Sequence, residues 1–122
     1  MHNKKLWLLG AIATGVFTLN AVAQDVAKVN PSTIVVKLDN AKVRVMEATL
    51  KPGQKEVMHS HPASIVYVMT GGTSRNHMAD GKVVDVTMKD GETLYREPLT
   101  HWAQNIGKTT IHLLIVELKT NP

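Results

Sequence analysis

The stretch Gly53–Gly72 reads GQKEVMHSHPASIVYVMTGG, and it decides the fold. It begins at the turn signal Pro52-Gly53 and closes with a run of β-branched and aromatic residues before a glycine pair, which is typical of strands bounded by turns. Side chains two residues apart in a strand point to the same face. His59 and His61 therefore present two imidazoles side by side, a geometry that a transition metal accepts from its first two nitrogen ligands.

The first 23 residues have the parts of a secretory signal peptide in the right order. A basic segment ends in Lys4-Lys5, a mostly apolar segment runs from Leu6 to Leu19, and Ala21-Val22-Ala23 is a small-x-small cleavage site. The apolar segment is too short to span a bilayer comfortably. We therefore expect cleavage after Ala23 and a periplasmic or secreted protein. An uncleaved N-terminal membrane anchor is the alternative.

Cleavage would leave a mature chain of about 99 residues, which suits one domain. The chain has no cysteine, so its stability must come from burial, a metal or dimerisation rather than from disulfides. Loss of Lys4 and Lys5 lowers the net charge from +4 to about +2. The basic residues are scattered, which argues against nucleic-acid binding. No second apolar segment has membrane length, so no membrane contact is expected after cleavage.

The mature chain alternates short apolar and β-branched segments with turn residues spaced about eight to twelve positions apart. Residues 24–41 are predicted as a polar leader on the surface and a first strand, and residues 42–122 as one β-barrel domain. No helical period longer than one turn is present, so the pattern predicts an all-β sandwich or barrel. The predicted strands are 33–38, 42–50, the segment of His59 and His61, 65–70, 73–78, 83–89, 93–96, 101–106 and 110–118.

A second histidine-bearing stretch, GETLYREPLTHWAQN at 91–105, completes a resemblance to the cupin family. The resemblance covers about Lys42 to Leu118 and implies a jelly-roll β-barrel, or double-stranded β-helix, that holds one divalent metal ion. By that analogy the ligands are His59, His61 and His101. The positions that match the two cupin motifs are Gly53, His59 and His61 in the first, and Gly91, Pro98, His101 and Asn105 in the second.

The chain departs from the cupin pattern at two points. The glutamate of the first motif is absent, and Ser64 or Ile65 takes its place, depending on the flank from which the spacing is counted. The gap between proline and histidine in the second motif is also shorter. The expected site therefore has three histidines and open positions for water, substrate or dioxygen. Zinc, manganese, nickel, copper and iron are the candidate ions.

Four other side chains are candidates for contact with a substrate. Tyr67, Arg75 and Glu97 are predicted as catalytic groups, and Arg96, like Arg75, can clamp a carboxylate. The alternatives are a tyrosine in the core and arginines that extend from strands into solvent.

The remaining polar candidates concern the ion and its surroundings. His77 is a candidate replacement for the missing glutamate ligand, with a surface histidine as the alternative. His112 is expected to be a buried, hydrogen-bonded histidine. Gln104 and Asn105 are expected to hydrogen-bond near His101.

Three functions remain open from the sequence. The first is a metal-dependent enzyme of dioxygenase, isomerase or hydrolase type that acts on a small oxygen-rich molecule. The second is a module that binds a sugar or organic acid without turnover, and the third is a barrel that has lost its metal. A homodimer formed through edge strands is also expected.

Overall fold

The computed structural model describes residues 24–120, so the predicted signal peptide lies outside the described residues. Within this part the chain forms one short helix and nine strands. These are α1 (Val26–Val29), β1 (Ile34–Asp39), β2 (Val43–Leu50), β3 (His59–His61), β4 (Ser64–Thr70), β5 (Gly72–Met78), β6 (Val83–Met88), β7 (Thr93–Arg96), β8 (Leu99–Asn105) and β9 (Ile111–Leu118). Residues 24–120 include no helix with the length and apolar character needed to cross a membrane.

The nine strands pair antiparallel in two sheets. One sheet has the order β1-β2-β9-β4-β7, and the other has the order β3-β8-β5-β6. The prediction of an all-β fold is confirmed. Because β4 and β5 are consecutive in the chain but belong to different sheets, the chain crosses between the two layers at Gly71.

Strand alternation sets which side chains enter the space between the sheets. In β9 the buried positions are Ile111, Leu113, Ile115 and Glu117, and the residues between them are half-buried. In β4 the same period buries Val66 and turns Tyr67 outward. Each fully buried aliphatic side chain stabilises the fold by about 1.5–3 kcal/mol. The resulting core lies between the sheets and is closed at one side by Val26 of α1.

The segment before β1 does not lie on the surface as predicted. Asp25 caps α1 by accepting hydrogen bonds from backbone amides, and its other carboxylate oxygen accepts a hydrogen bond of 2.8 Å from Arg44 of β2. These contacts anchor the helix, so that Val26 and Asn30 become buried. Asn30 Oδ1 then accepts a hydrogen bond of 2.6 Å from the Val57 amide. The N-terminal segment therefore supports the chain that leads into β3.

Gly71 is required by a close approach of backbone rather than by its own dihedral angles. A Cβ atom at this position would lie 2.1 Å from the Met88 carbonyl oxygen. Only glycine lets the crossing between the sheets pass this close to the end of β6.

Candidate metal centre

Three histidines meet because of strand register. His59 and His61 share the inward face of β3, and β3 pairs antiparallel with β8 so that His59 lies opposite His101. The ring centroids are 4.7 Å apart for His59 and His61, 4.8 Å for His59 and His101, and 5.5 Å for His61 and His101. Two segments that are distant in sequence therefore supply one cluster of imidazoles.

The cluster is buried and compact. The exposed fractions of His59, His61 and His101 are 1%, 6% and 4%. The Nε2 atoms of His59 and His61 are 2.9 Å apart, and one ring nitrogen from each histidine lies within 4.8 Å of the others. Two nitrogens bound to one zinc ion at about 2.0–2.1 Å can be at most about 4.2 Å apart. The cluster can thus share one ion after a movement of less than about 1 Å.

Each histidine has an oxygen partner on the side of the ring that faces away from the cluster. Carbonyl, carboxylate and amide oxygens only accept hydrogen bonds, so each Nδ1 carries a hydrogen, and in the neutral ring Nε2 then carries a lone pair. The Asn30 amide nitrogen also lies 3.3 Å from His59 Nδ1, but the Val57 carbonyl is the shorter contact. The contacts are His59 Nδ1 to the Val57 carbonyl at 2.7 Å, His61 Nδ1 to Glu117 Oε2 at 2.6 Å, and His101 Nδ1 to Asn76 Oδ1 at 3.0 Å.

This arrangement fits a metal ion. The Nε2 atoms of His59 and His61 face each other at 2.9 Å. A cation bound between the rings would take a lone pair from each of these nitrogens. Histidines that bind metals are typically oriented in the same way, through a hydrogen bond from the second ring nitrogen to an oxygen. Three neutral imidazoles also suit several first-row ions.

The electrostatic environment keeps the imidazoles of His59 and His101 neutral. Burial lowers the pKa of His59 to about 4, with a further contribution from the neighbouring His61. Burial, together with His59 and His61, also holds the pKa of His101 far below its ordinary value. The Nε2 atoms of His59 and His101 are therefore free of protons near neutral pH and available as ligands.

A cavity adjoins the cluster between the sheets. Its volume is about 40 Å³, which is room for about three water molecules. Most of its wall is apolar, but His61, His101, Glu56 and Arg96 also line it. The imidazoles, a carboxyl group and a guanidinium thus border one small space.

No protein-family model and no curated protein sequence matches the chain. Solved structures do match, and one is a cupin domain from Bordetella pertussis Tohama I. It is 27% identical to this chain and has a TM-score of 0.65, with 71% of this chain and 92% of that chain covered. This chain belongs to the cupin superfamily. The jelly-roll fold expected from the two motifs is confirmed.

Two further neighbours of this cupin agree in fold alone. An uncharacterised conserved protein with a double-stranded β-helix domain from Klebsiella pneumoniae is 21% identical, with a TM-score of 0.55 and coverage of 81% of this chain and 91% of that one. A predicted oxalate decarboxylase from Thermotoga maritima is 23% identical, with a TM-score of 0.52 and coverage of 71% and 79%.

The three side chains predicted as catalytic groups do not reach the cavity of this cupin. Tyr67 is 44% exposed, because the alternation of β4 turns it to the outer face of the sheet. Arg75 points outward from β5 and forms an ion pair with Asp85 at 2.9 Å. Glu97 is exposed between β7 and β8. Their positions do not support catalytic roles.

Other predicted neighbours of the ion also lie elsewhere. His77 stacks on Trp102 with 3.7 Å between ring centroids, on the outer face of the four-stranded sheet, and does not join the cluster. The prediction that His112 is buried is wrong, because its side chain is about one-third exposed and contacts Glu47 at 3.4 Å. Asn105 donates its amide hydrogens to the carbonyls of Leu50 and Thr109, and not to the neighbourhood of His101.

Glu56 is a functional candidate that the sequence did not reveal. Its Oε2 atom lies 3.9 Å from His59 Nε2, and burial raises its pKa to about 7 against the opposing effects of the Ala103 backbone and Arg96. Strict alternation would place Glu56 and His59 on opposite faces. Between residues 54 and 58 the even-numbered side chains are the less exposed ones, whereas in β3 the odd-numbered ones are buried. This one-residue shift in the inward period brings the side chains of Glu56 and His59 to the same side.

Glu117 also escaped prediction, although the sequence carried a signal for it. It continues the buried positions of β9, so the alternation places a carboxylate on the inward face of an apolar strand. A buried carboxylate needs a hydrogen-bonding partner. In the fold that partner is His61.

Proposed function

We propose that this cupin binds one divalent transition metal ion through the Nε2 atoms of His59, His61 and His101. The observation that carries the proposal is the set of hydrogen bonds from the three Nδ1 atoms to oxygens, which leaves three lone pairs facing one another in a buried cluster. Zinc, nickel, copper and iron all suit imidazole ligands, whereas manganese, the fifth ion expected from the sequence, prefers oxygen ligands.

We further propose that the site acts on a small oxygen-rich molecule, as a dioxygenase, isomerase or hydrolase. A metal held by three protein ligands supplies Lewis acidity and keeps coordination positions open. Glu56 supports chemistry rather than binding alone, because its carboxyl group lines the cavity beside His59, where it could exchange a proton with a bound molecule. The small volume of the cavity favours a ligand of a few heavy atoms.

Metal analysis of purified variants tests the first proposal. His59→Ala, His61→Ala and His101→Ala should each lose the bound ion, whereas the wild-type protein should carry about one ion per chain. His77→Ala and His112→Ala are matched controls, because both histidines lie outside the cluster. Equal metal content in the cluster variants and the controls would overturn the proposal.

Turnover separates an enzyme from a binding module. A metal-dependent reaction of a small chelating substrate that His101→Ala abolishes would support an enzyme. Tight binding of such molecules without any conversion would support the alternative of a binding module.

Export to the periplasm or the medium is also a proposal, supported by the three-part pattern in residues 1–23. The test is N-terminal sequencing of the protein from the outer compartment, which should start at Gln24. A protein that retains Met1 and stays in the cytoplasmic fraction would contradict export.

We propose a homodimer formed through the outer face of the five-stranded sheet, rather than through the edge strands expected from the sequence. One apolar side chain from each of the five strands lies in register with the next, and together they form a row across this face. A two-fold axis through this row would place it against the same row of a second copy. Ile65→Lys should then give a monomer in sedimentation equilibrium, unlike Thr87→Lys on the other sheet. A monomeric wild-type protein at micromolar concentration would refute the dimer. The row consists of Leu38, Val45, Val116, Ile65 and Tyr95.

A further inference from the structure

Arg96 points into the barrel. In β7 the residues Thr93 and Tyr95 are exposed, whereas Leu94 and Arg96 face inward and are half-buried. Arg96 lines the same cavity as His61 and His101. A guanidinium on an inward face is unusual, because arginine is rarely buried unless it is paired.

The hydrogen bonds of Arg96 leave most of its capacity unused. Among residues 24–120 its side chain donates one hydrogen bond, from Nη2 to Met88 Sδ at 3.9 Å, and it forms no ion pair. A thioether is a weak acceptor, and a guanidinium has five N–H donors. The two other arginines differ, since Arg44 pairs with Asp25 and Arg75 pairs with Asp85.

Glu56 does not neutralise Arg96, although both line the cavity. The nearest described ion-pairing contact of Glu56 is to His59 at 3.9 Å, so its carboxyl group lies beside the histidines. Burial lowers the pKa of Arg96, and the charge of Glu56 opposes that effect only in part. Desolvation therefore raises the free energy of the charged guanidinium, and an anion in the cavity would lower it.

From this geometry we propose that Arg96 binds the carboxylate of the ligand, and that the site takes a small carboxylic acid whose remaining oxygen reaches the metal. The planar guanidinium matches the two oxygens of a carboxylate in a bidentate contact. The cavity of about 40 Å³ admits an acid with a short carbon skeleton. Phosphate fits less well, because its second negative charge would lie close to Glu56, which lines the same cavity.

This inference rests on the proposed metal site for the position of the second oxygen, but its test does not. Glycolate, its neutral analogue glycolamide and inorganic phosphate are titrated by calorimetry into both the zinc-loaded and the metal-free protein. The variants are Arg96→Gln and Arg96→Lys, and Arg75→Gln is the matched control on the outer face. Zinc content and circular dichroism of every variant are measured first.

The expected result is that Arg96→Gln weakens glycolate binding about 10–100-fold, as expected for lost hydrogen bonds to a charged group. Glycolamide affinity and zinc content should stay unchanged, Arg96→Lys should restore part of the glycolate affinity, and Arg75→Gln should match the wild type. The metal-free protein should show the same dependence on Arg96 at weaker affinity.

Several results would overturn the inference. They are equal glycolate affinity in the wild type and Arg96→Gln, absence of glycolate binding at millimolar concentration, or tighter binding of inorganic phosphate than of glycolate. A protein that binds no zinc but shows glycolate affinity dependent on Arg96 would refute the metal proposal and leave this one standing. Zinc binding together with a glycolate affinity that does not depend on Arg96 would support the metal proposal and refute this one.

Discussion

His61 donates its Nδ1 hydrogen to Glu117 Oε2 across 2.6 Å, and both side chains are almost fully buried. The contact joins β3 of one sheet to β9 of the other. It therefore fixes the orientation of a cluster imidazole from across the barrel, and it makes that imidazole a stronger electron donor through Nε2.

The first prediction concerns this carboxylate. Glu117→Gln should lower zinc affinity about 10–100-fold, because the amide orients His61 but supplies no negative charge. Competitive titration with a chromogenic chelator measures the effect. Glu47→Gln is the matched control, since Glu47 contacts His112 outside the cluster. Identical affinities in the two variants would show that Glu117 has no influence on the ion.

The second prediction concerns metal removal. Free zinc at one hundred times its dissociation constant stabilises the folded state by about 2.7 kcal/mol. For a domain of this size that difference raises the melting temperature by about 10–20 °C. Scanning calorimetry with zinc and with excess chelator measures the shift. His101→Ala should melt at the same temperature in both conditions, and a wild-type protein that did likewise would contradict the prediction.

The third prediction concerns pH. The pKa of Glu56 is raised from 4.5 to about 7 in the folded state, so its contribution to stability is fully present below pH 4.5 and is lost as pH rises through 7. Between pH 4.5 and 8 the metal-free wild type should therefore lose about 3 kcal/mol relative to Glu56→Gln. The ionisations of His59 and His101 occur in both proteins and cancel in this difference.

Urea unfolding of the two metal-free proteins at pH 4.5 and pH 8 measures that difference. Glu97→Gln, at an exposed position, should have the same free energy of unfolding as the wild type at both pH values. A constant difference between the wild type and Glu56→Gln across this range would show that Glu56 titrates in the folded state as it does in the unfolded chain.

The fourth prediction concerns the crossing between the sheets. Gly71→Ala should destabilise the protein by about 2–4 kcal/mol, because the new Cβ would lie 2.1 Å from the Met88 carbonyl oxygen and the backbone must move. Gly107→Ala is the control, since its nearest neighbour would be 3.4 Å away. Chemical unfolding of both variants checks this, and similar stabilities would mean that the crossing relaxes without cost.

The sequence alone determined the all-β fold, because alternation with a period of two and frequent turn residues allow little else. It also singled out His59, His61 and His101, since residues two apart in a strand share a face and the second motif supplied the third histidine. The same alternation in β9 placed Glu117 on the buried face, although its partner could not be read from it.

The tertiary structure decided which other side chains surround the cluster. Tyr67 and Arg75 face outward because of the parity of their strands, and Arg96 faces the cavity for the same reason. Glu56 reaches the histidines only through a one-residue shift in the inward period before β3. Such shifts, and the pairing of β3 with β8, depend on contacts between segments far apart in the chain, and local sequence patterns carry no record of them.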